Sequence, residues 1–202
     1  MGGMTGDLIV LWLAALPLMG SPGPATMSLA AVGAAYGARP GLGYLAGIVA
    51  GTTGVLLLIA TGVTGLILAE PALVRVITVL AAVYILYLAY RIATAPVLAG
   101  AGPETAAPSF PGGFLLAIAN PKAFAAIGAV YGGHTILEGD PLLDAAAKIA
   151  ALAAVIVVVN AAWLVFGAAL SSVLRDPRIG RIANIAFAVL LVASVALAVF
   201  AG

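Results

Sequence analysis

From Leu8 to Tyr36 the chain carries no charged residue, yet the middle of that run is Ser21-Pro22-Gly23-Pro24. A helix needs about 20 apolar residues to cross the hydrocarbon core of a bilayer, and this run exceeds that. Its middle cannot continue a helix. Proline lacks the N–H and clashes with the preceding turn, and glycine is free to take other backbone angles. Irregular backbone at mid-bilayer depth is tolerated only where it is buried in protein or lines a cavity. A second interruption, Asn120-Pro121-Lys122, falls inside the apolar run from Gly113 to Gly133. Paired breaks at corresponding places in two halves of a chain point to the binding site of a carrier.

Composition agrees with a membrane setting. Of 202 residues, 64% are hydrophobic and 7% charged, with mean hydropathy +1.25. A soluble domain carries roughly 25% charged residues. A net charge of +1 offers nothing to a nucleic acid. With no cysteine and a single histidine, the chain has no thiol chemistry, no thiolate metal site and no evident cofactor ligands.

In chain order the apolar runs predict an all-α integral membrane protein of six transmembrane helices. The first runs from Leu8 to Tyr36, broken at Ser21 to Pro24, and Gly37 to Gly41 make a tight turn. The second runs from Leu42 to Ala69. Its Gly43, Gly47 and Gly51 form a stripe that allows close helix packing and permits a homodimer. The third opens at Glu70-Pro71 and ends near Tyr90-Arg91, among interfacial tyrosines. Residues 92–112 form a linker. The fourth runs from Gly113 to Gly133, interrupted at Asn120 to Lys122, and an acidic loop with a solvated His134 follows. The fifth runs from about Asp144, in the headgroup region, to Ser171. The sixth runs from about Ile179 to Phe200.

The halves repeat. Glu70-Pro71 and Arg75 recur as Asp176-Pro177 and Arg181 at a constant offset of 106 residues. Residues 1–91 are thus one three-helix repeat and residues 113–202 the other. Three spans per half forces the second repeat to be inverted, the plan of many secondary carriers. The odd-numbered connections hold Arg39, Arg91, Arg175, Arg178 and Arg181, against Arg75 and Lys148 on the opposite face. Five against two places the odd connections in the cytoplasm and both termini outside.

The order of these pieces carries a resemblance. Ser21-Pro22-Gly23-Pro24 is followed by Tyr36-Gly37-Ala38-Arg39-Pro40-Gly41 and Gly47-Ile48-Val49-Ala50-Gly51. Next come the stretch Ala82 to Arg91, Phe110 with Gly113-Phe114, and Asn120-Pro121-Lys122-Ala123. Over nearly its whole length the chain resembles the LysE/RhtB family of bacterial amino-acid exporters. The resemblance implies six spans in the bacterial inner membrane and efflux of amino acids or similar metabolites, driven by the proton gradient. Many members carry an acid just after the Pro-Gly-Pro, or in the second span. Here those places hold Ala25-Thr26 and Thr52-Thr53.

The residues themselves point to where a substrate would sit. Half-helix N-termini after Pro24 and Pro121 expose N–H groups and a positive dipole end, suited to a carboxylate. Freed carbonyls near Met19, Gly20 and Ala119 are candidates for the ammonium, with the side-chain oxygens of Ser21 and Asn120. Ser21, Pro22, Gly23, Pro24, Ala25 and Thr26 therefore form one half of the candidate substrate site, and Asn120, Pro121 and Lys122 the other. Lys122 is the one basic residue expected deep within a span, which marks it for function. Three roles are open to it: pairing with the substrate carboxylate, carrying a proton, or anchoring the break. Asn160 either binds substrate or glues helices. Thr52 and Thr53 line the pathway or bond their own helix. Trp163 reads as packing. The leading expectation is a secondary exporter of small neutral amino acids, rocking one repeat against the other. A passive channel or a permease for another small solute or ion is the alternative.

Overall fold

Apolar runs of this length bury their backbone polar groups by coiling into helices, and helices account for the architecture. The structure is a computed structural model that describes residues 4–62, 71–94, 107–170 and 176–200. Among the described residues there are eight α-helices and no strand. They are α1 (Met4–Gly20), α2 (Pro24–Tyr36), α3 (Ala38–Ala60), α4 (Pro71–Ala93), α5 (Phe110–Ile118), α6 (Pro121–Gly133), α7 (Pro141–Leu170) and α8 (Pro177–Phe200). The 23-residue α3 and the 30-residue α7 are each long and apolar enough to cross a membrane. So are α1 with α2 and α5 with α6, if each bent pair counts as one span; the bends are 64° and 60°.

Both predicted breaks are present, and prolines open the helices after them: Pro24 for α2 and Pro121 for α6. The missing proline N–H costs nothing at a first helical position. Pro71 and Pro177 likewise open α4 and α8, at the offset of the repeat. Asp176 caps α8, accepting from the N–H groups of Arg178 at 2.8 Å and Ile179 at 3.2 Å. Its counterpart Glu70 lies outside the described residues, as do Glu104, Arg175 and most of the linker. The turn between α2 and α3 hinges on Gly37, whose φ of 89° favours glycine.

Several boundaries differ from those expected. The second span was expected to reach Ala69, but α3 ends at Ala60, where Gly62 takes a positive φ of 75° and donates to the Ile59 carbonyl. That left-handed glycine is a common helix stop. The fourth span starts three residues early, at Phe110, after Ser109.

The glycine stripe is half right. Gly47 and Gly51 do seat α3 on α5: a Cβ on Gly47 would strike the Phe110 carbonyl, and one on Gly51 would lie 2.7 Å from the Phe114 carbonyl. Gly43 is exposed and meets nothing within 4 Å. Each four-residue step turns the stripe by about 40° around a helix of 3.6 residues per turn, which carries Gly43 off the contact. Other contacts are as close. Gly113 of α5 presses back on the Tyr44 carbonyl of α3, while Gly33 of α2 and Gly167 of α7 lie on the Leu164 and Ala30 carbonyls of each other's helix.

Two apolar clusters result. One gathers side chains of α2 and α5 with α3, α4, α7 and α8. The other gathers α1 and α6 with α3 and α7. The first half-helix of one bent pair thus shares a cluster with the second half-helix of the other.

The start of α7 also departs from expectation. Asp144 and Lys148 are each only 8% exposed and form an ion pair at 2.8 Å. Asp144 accepts the N–H groups of Ile136 (2.6 Å) and Leu137 (3.0 Å), and Lys148 donates to the His134 carbonyl at 3.2 Å. The Lys148 ammonium lies 4.3 Å from the centre of the Tyr131 ring. His134 is half-buried rather than freely solvated, with Nδ1 at 2.9 Å from the Val130 carbonyl. Folding the loop back over the end of α6 supplies the carbonyls and N–H groups that this pair requires.

Candidate functional site

The first break is built by its own residues. Ser21 still bonds back to α1, its N–H to the Pro17 carbonyl (3.0 Å) and its Oγ to the Leu18 carbonyl (2.9 Å). Gly23 is extended, and its N–H donates to Thr26 Oγ1 at 2.9 Å, so the threonine hydroxyl is committed to closing the turn. Met27 N–H returns to the Gly23 carbonyl at 2.8 Å. The N–H groups of Ala25 and Thr26, the first that α2 possesses after Pro24, find no acceptor among the described residues.

The second break is closed differently. Asn120 caps α6 with its side chain, Oδ1 accepting from Lys122 N–H at 3.1 Å, and its carbonyl takes Ala123 N–H at 3.0 Å. The positive end of α6 is therefore occupied, and that of α2 is open. An uncapped helix N-terminus carries about half a positive charge.

The breaks meet through Lys122. Its Nζ donates to the Ser21 carbonyl and, at 3.4 Å, to that of Pro22. Its partners are the backbone oxygens of the other break, not a carboxylate. Gly23 makes room for it, because a Cβ there would lie 2.5 Å from Lys122 Cδ. Of the freed carbonyls that sequence reasoning left to an ammonium, one is taken, and so are two that it did not name. Those of Ser21 and Pro22 hold Lys122, and that of Gly20 accepts from Trp163 Nε1 at 3.0 Å. Trp163 thus supports the break by a bond across 143 positions, which its setting in an apolar helix did not announce.

Around this crossing lies a small cavity of about 40 Å³. Seven of the predicted site residues line it: Gly23, Ala25 and Thr26 from the first break, Asn120 and Lys122 from the second, Thr52 from α3 and Asn160 from α7. Ser21, Pro22, Pro24 and Pro121 do not. They shape the breaks, Ser21 and Pro22 by offering carbonyls to Lys122. Thr53, half-buried, is outside the lining too. Met19 of α1, named for its carbonyl, lines it too, and the lining that sequence reasoning missed is apolar: Ala123, Ala126 and Ile127 of α6, and Ile156 and Val159 of α7. Helical spacing from Lys122 and Asn160 was the available signal, since Ala126 and Ile156 lie four residues from them.

Three buried polar side chains keep spare hydrogen-bonding capacity there. Thr52, 7% exposed, makes no hydrogen bond among the described residues, not even to its own helix. Asn160, 5% exposed, donates Nδ2 to the Ile156 carbonyl at 2.7 Å and leaves Oδ1 spare. Asn120, also 5% exposed, leaves Nδ2 spare. Buried polar groups are nearly always satisfied, so three around one space mark a place for a solute or water. No Asp or Glu lines the cavity. Among the described residues no group of three His, Cys, Asp or Glu stands together to hold a metal.

A family model described as LysE type translocator matches residues 16–201, a stretch that includes both breaks and every residue of the cavity. The chain belongs to that family. No curated protein and no solved structure matches it. Membership makes the chain a membrane transport protein, in line with its apolar helices. Two of the sequence motifs that carried the resemblance, Ser21-Pro22-Gly23-Pro24 and Asn120-Pro121-Lys122-Ala123, build the two breaks of this LysE type translocator.

Proposed function

We propose that this translocator exports small neutral amino acids or related metabolites across the cytoplasmic membrane, by alternating access around its two broken helices. One observation carries the reading: Lys122 of the second break is bonded to carbonyls of the first, beside a cavity lined by Ala25 and Thr26, whose N–H groups have no acceptor among the described residues. A substrate carboxylate would take the N–H groups of Ala25 and Thr26 and draw the Lys122 ammonium from the Ser21 and Pro22 carbonyls. Charge-assisted bonds of this kind outcompete bonds to neutral carbonyls. Substrate entry would thereby release the contact that ties the breaks together. Lys122 is the titratable side chain of the lining, and we assign to it the coupling to the proton gradient.

Six spans with an inverted repeat suit this reading. If α1 to α2 crosses in one direction, the shared clusters of α2 with α5 and of α1 with α6 call for α5 to α6 to cross in the other. The odd-numbered connections then share a face, supported by Arg181 of α8 donating to the Ala93 carbonyl at the end of α4, at 2.8 Å. The excess of arginine on that face assigns it to the cytoplasm.

The test is efflux from proteoliposomes loaded with labelled amino acids, with and without a proton gradient. Saturable, gradient-dependent efflux of a neutral amino acid that Lys122→Ala abolishes is the expected result. Saturable efflux that survives the substitution would leave Lys122 an anchor. Flux that does not saturate would indicate a channel, and no flux of any amino acid would end the proposal.

A further inference from the structure

The cavity is asymmetric in a way that bears on what it can tell apart. On its donor side stand the free N–H groups of Ala25 and Thr26, the open positive end of α2, and Lys122. On its acceptor side stand neutral oxygens, Asn160 Oδ1 and Thr52 Oγ1 among the side chains and the Met19 carbonyl from the backbone of a lining residue. Of the carbonyls around the first break, that of Gly20 is bonded to Trp163, and those of Ser21 and Pro22 to Lys122. Nothing in the lining carries the negative charge that would favour an ammonium over any other donor.

We infer that this site reads its solute by the carboxylate and not by the charge on the neighbouring nitrogen, so that short aliphatic 2-hydroxy acids are substrates alongside the amino acids of the same side chain. The inference rests on the transport reading above and names the chemistry of the same site. A neutral oxygen accepts an O–H as readily as an N–H. An ammonium taken from water without a counter-charge costs more than a hydroxyl does. The 2-hydroxy acid is a net monoanion, which also suits the positive excess of the donor side. Thr52 and Asn160, buried and with spare capacity, are independent of the helix end and face the same space. The apolar remainder, Met19, Ile127, Ile156 and Val159, suits an aliphatic chain and gives no partner to a polar one.

Binding to the purified full-length protein in detergent tests this by titration calorimetry. Alanine, valine and leucine are titrated first. The tightest of them is then compared with its own 2-hydroxy acid and with its own amine, the molecule that lacks the carboxylate. The hydroxy acid is expected to bind within about tenfold of the amino acid, and the amine about a hundredfold more weakly or worse, because it forfeits the charge-assisted bonds. An amine that binds as well as the amino acid, or a hydroxy acid that fails where the amino acid binds, overturns the inference and leaves amino-acid transport standing. Failure of all three amino acids to bind overturns both. Thr52→Val keeps the side-chain shape and removes the hydroxyl, and should weaken amino acid and hydroxy acid alike by about tenfold. Loss confined to the amino acid would show that the threonine reads the ammonium, and would also overturn the inference.

Discussion

Lys122 needs a neighbour without a side chain, and Gly23 is that neighbour. A methyl group at Gly23 would occupy the space of Lys122 Cδ and push the ammonium off the Ser21 and Pro22 carbonyls. Gly23→Ala is therefore expected to slow efflux by about tenfold or more, since small misplacements of a binding group are costly. Initial rates in proteoliposomes measure this, and the thermal midpoint in detergent should stay close to wild type because only a flexible side chain must give. Trp163→Phe keeps an aromatic ring, though a smaller one, and removes the N–H that the Gly20 carbonyl accepts. The expected loss is about 1 kcal/mol of stability, read as a lowered thermal midpoint. At this scale the sequence marked Lys122 as a charge inside an apolar run, but not what it touches. Its acceptors are backbone atoms about a hundred positions away, and no residue type records which carbonyls a break leaves unpaired. The same holds for Trp163, whose donor role exists only because α7 passes the end of α1.

Among the helices, close approach is made by glycines whose missing Cβ lets backbone meet backbone. Gly33→Ala, Gly113→Ala or Gly167→Ala would drive a methyl into a carbonyl of the facing helix. Each should cost about 1–3 kcal/mol. Gly43→Ala meets nothing and should be neutral, or stabilising by about 0.5–1 kcal/mol, because alanine is the better helix former. Denaturant unfolding of the four variants in detergent separates the two classes. The Gly-xxx-Gly spacing was legible in the sequence, but its useful phase was not, because α5 selects the face and α5 is distant in the chain. Breaks were legible for the opposite reason: proline and glycine act on their own backbone, so Pro24 and Pro121 mark α2 and α6 whatever surrounds them. Helix ends fell between these cases, as with Gly62, a local stop hidden in a run that stays apolar beyond it.

For the whole molecule, orientation is the property most open to direct measurement. The chain has no cysteine, so a single introduced thiol reports its side of the membrane without background. Arg39→Cys should react with a membrane-impermeant maleimide only after cells are opened, and Glu138→Cys should react in intact cells. The reverse pattern would invert the assigned topology while leaving the helix contacts untouched. The two helix starts at Pro71 and Pro177 were visible in the chain as an acid and a proline at one offset, because capping chemistry is local. Which half-helix lies beside which was not, since it depends on the crossing of two breaks. The glycine seams say more about that crossing. Gly47 and Gly113 lock α3 to α5, and Gly33 and Gly167 lock α2 to α7, with backbone in contact and no side chain between to repack. Such seams have no alternative rotamers, so each pair has one way to pack. Each pair takes one helix from either half of the chain. The tightest packing in this translocator therefore joins its sequence halves instead of staying within them.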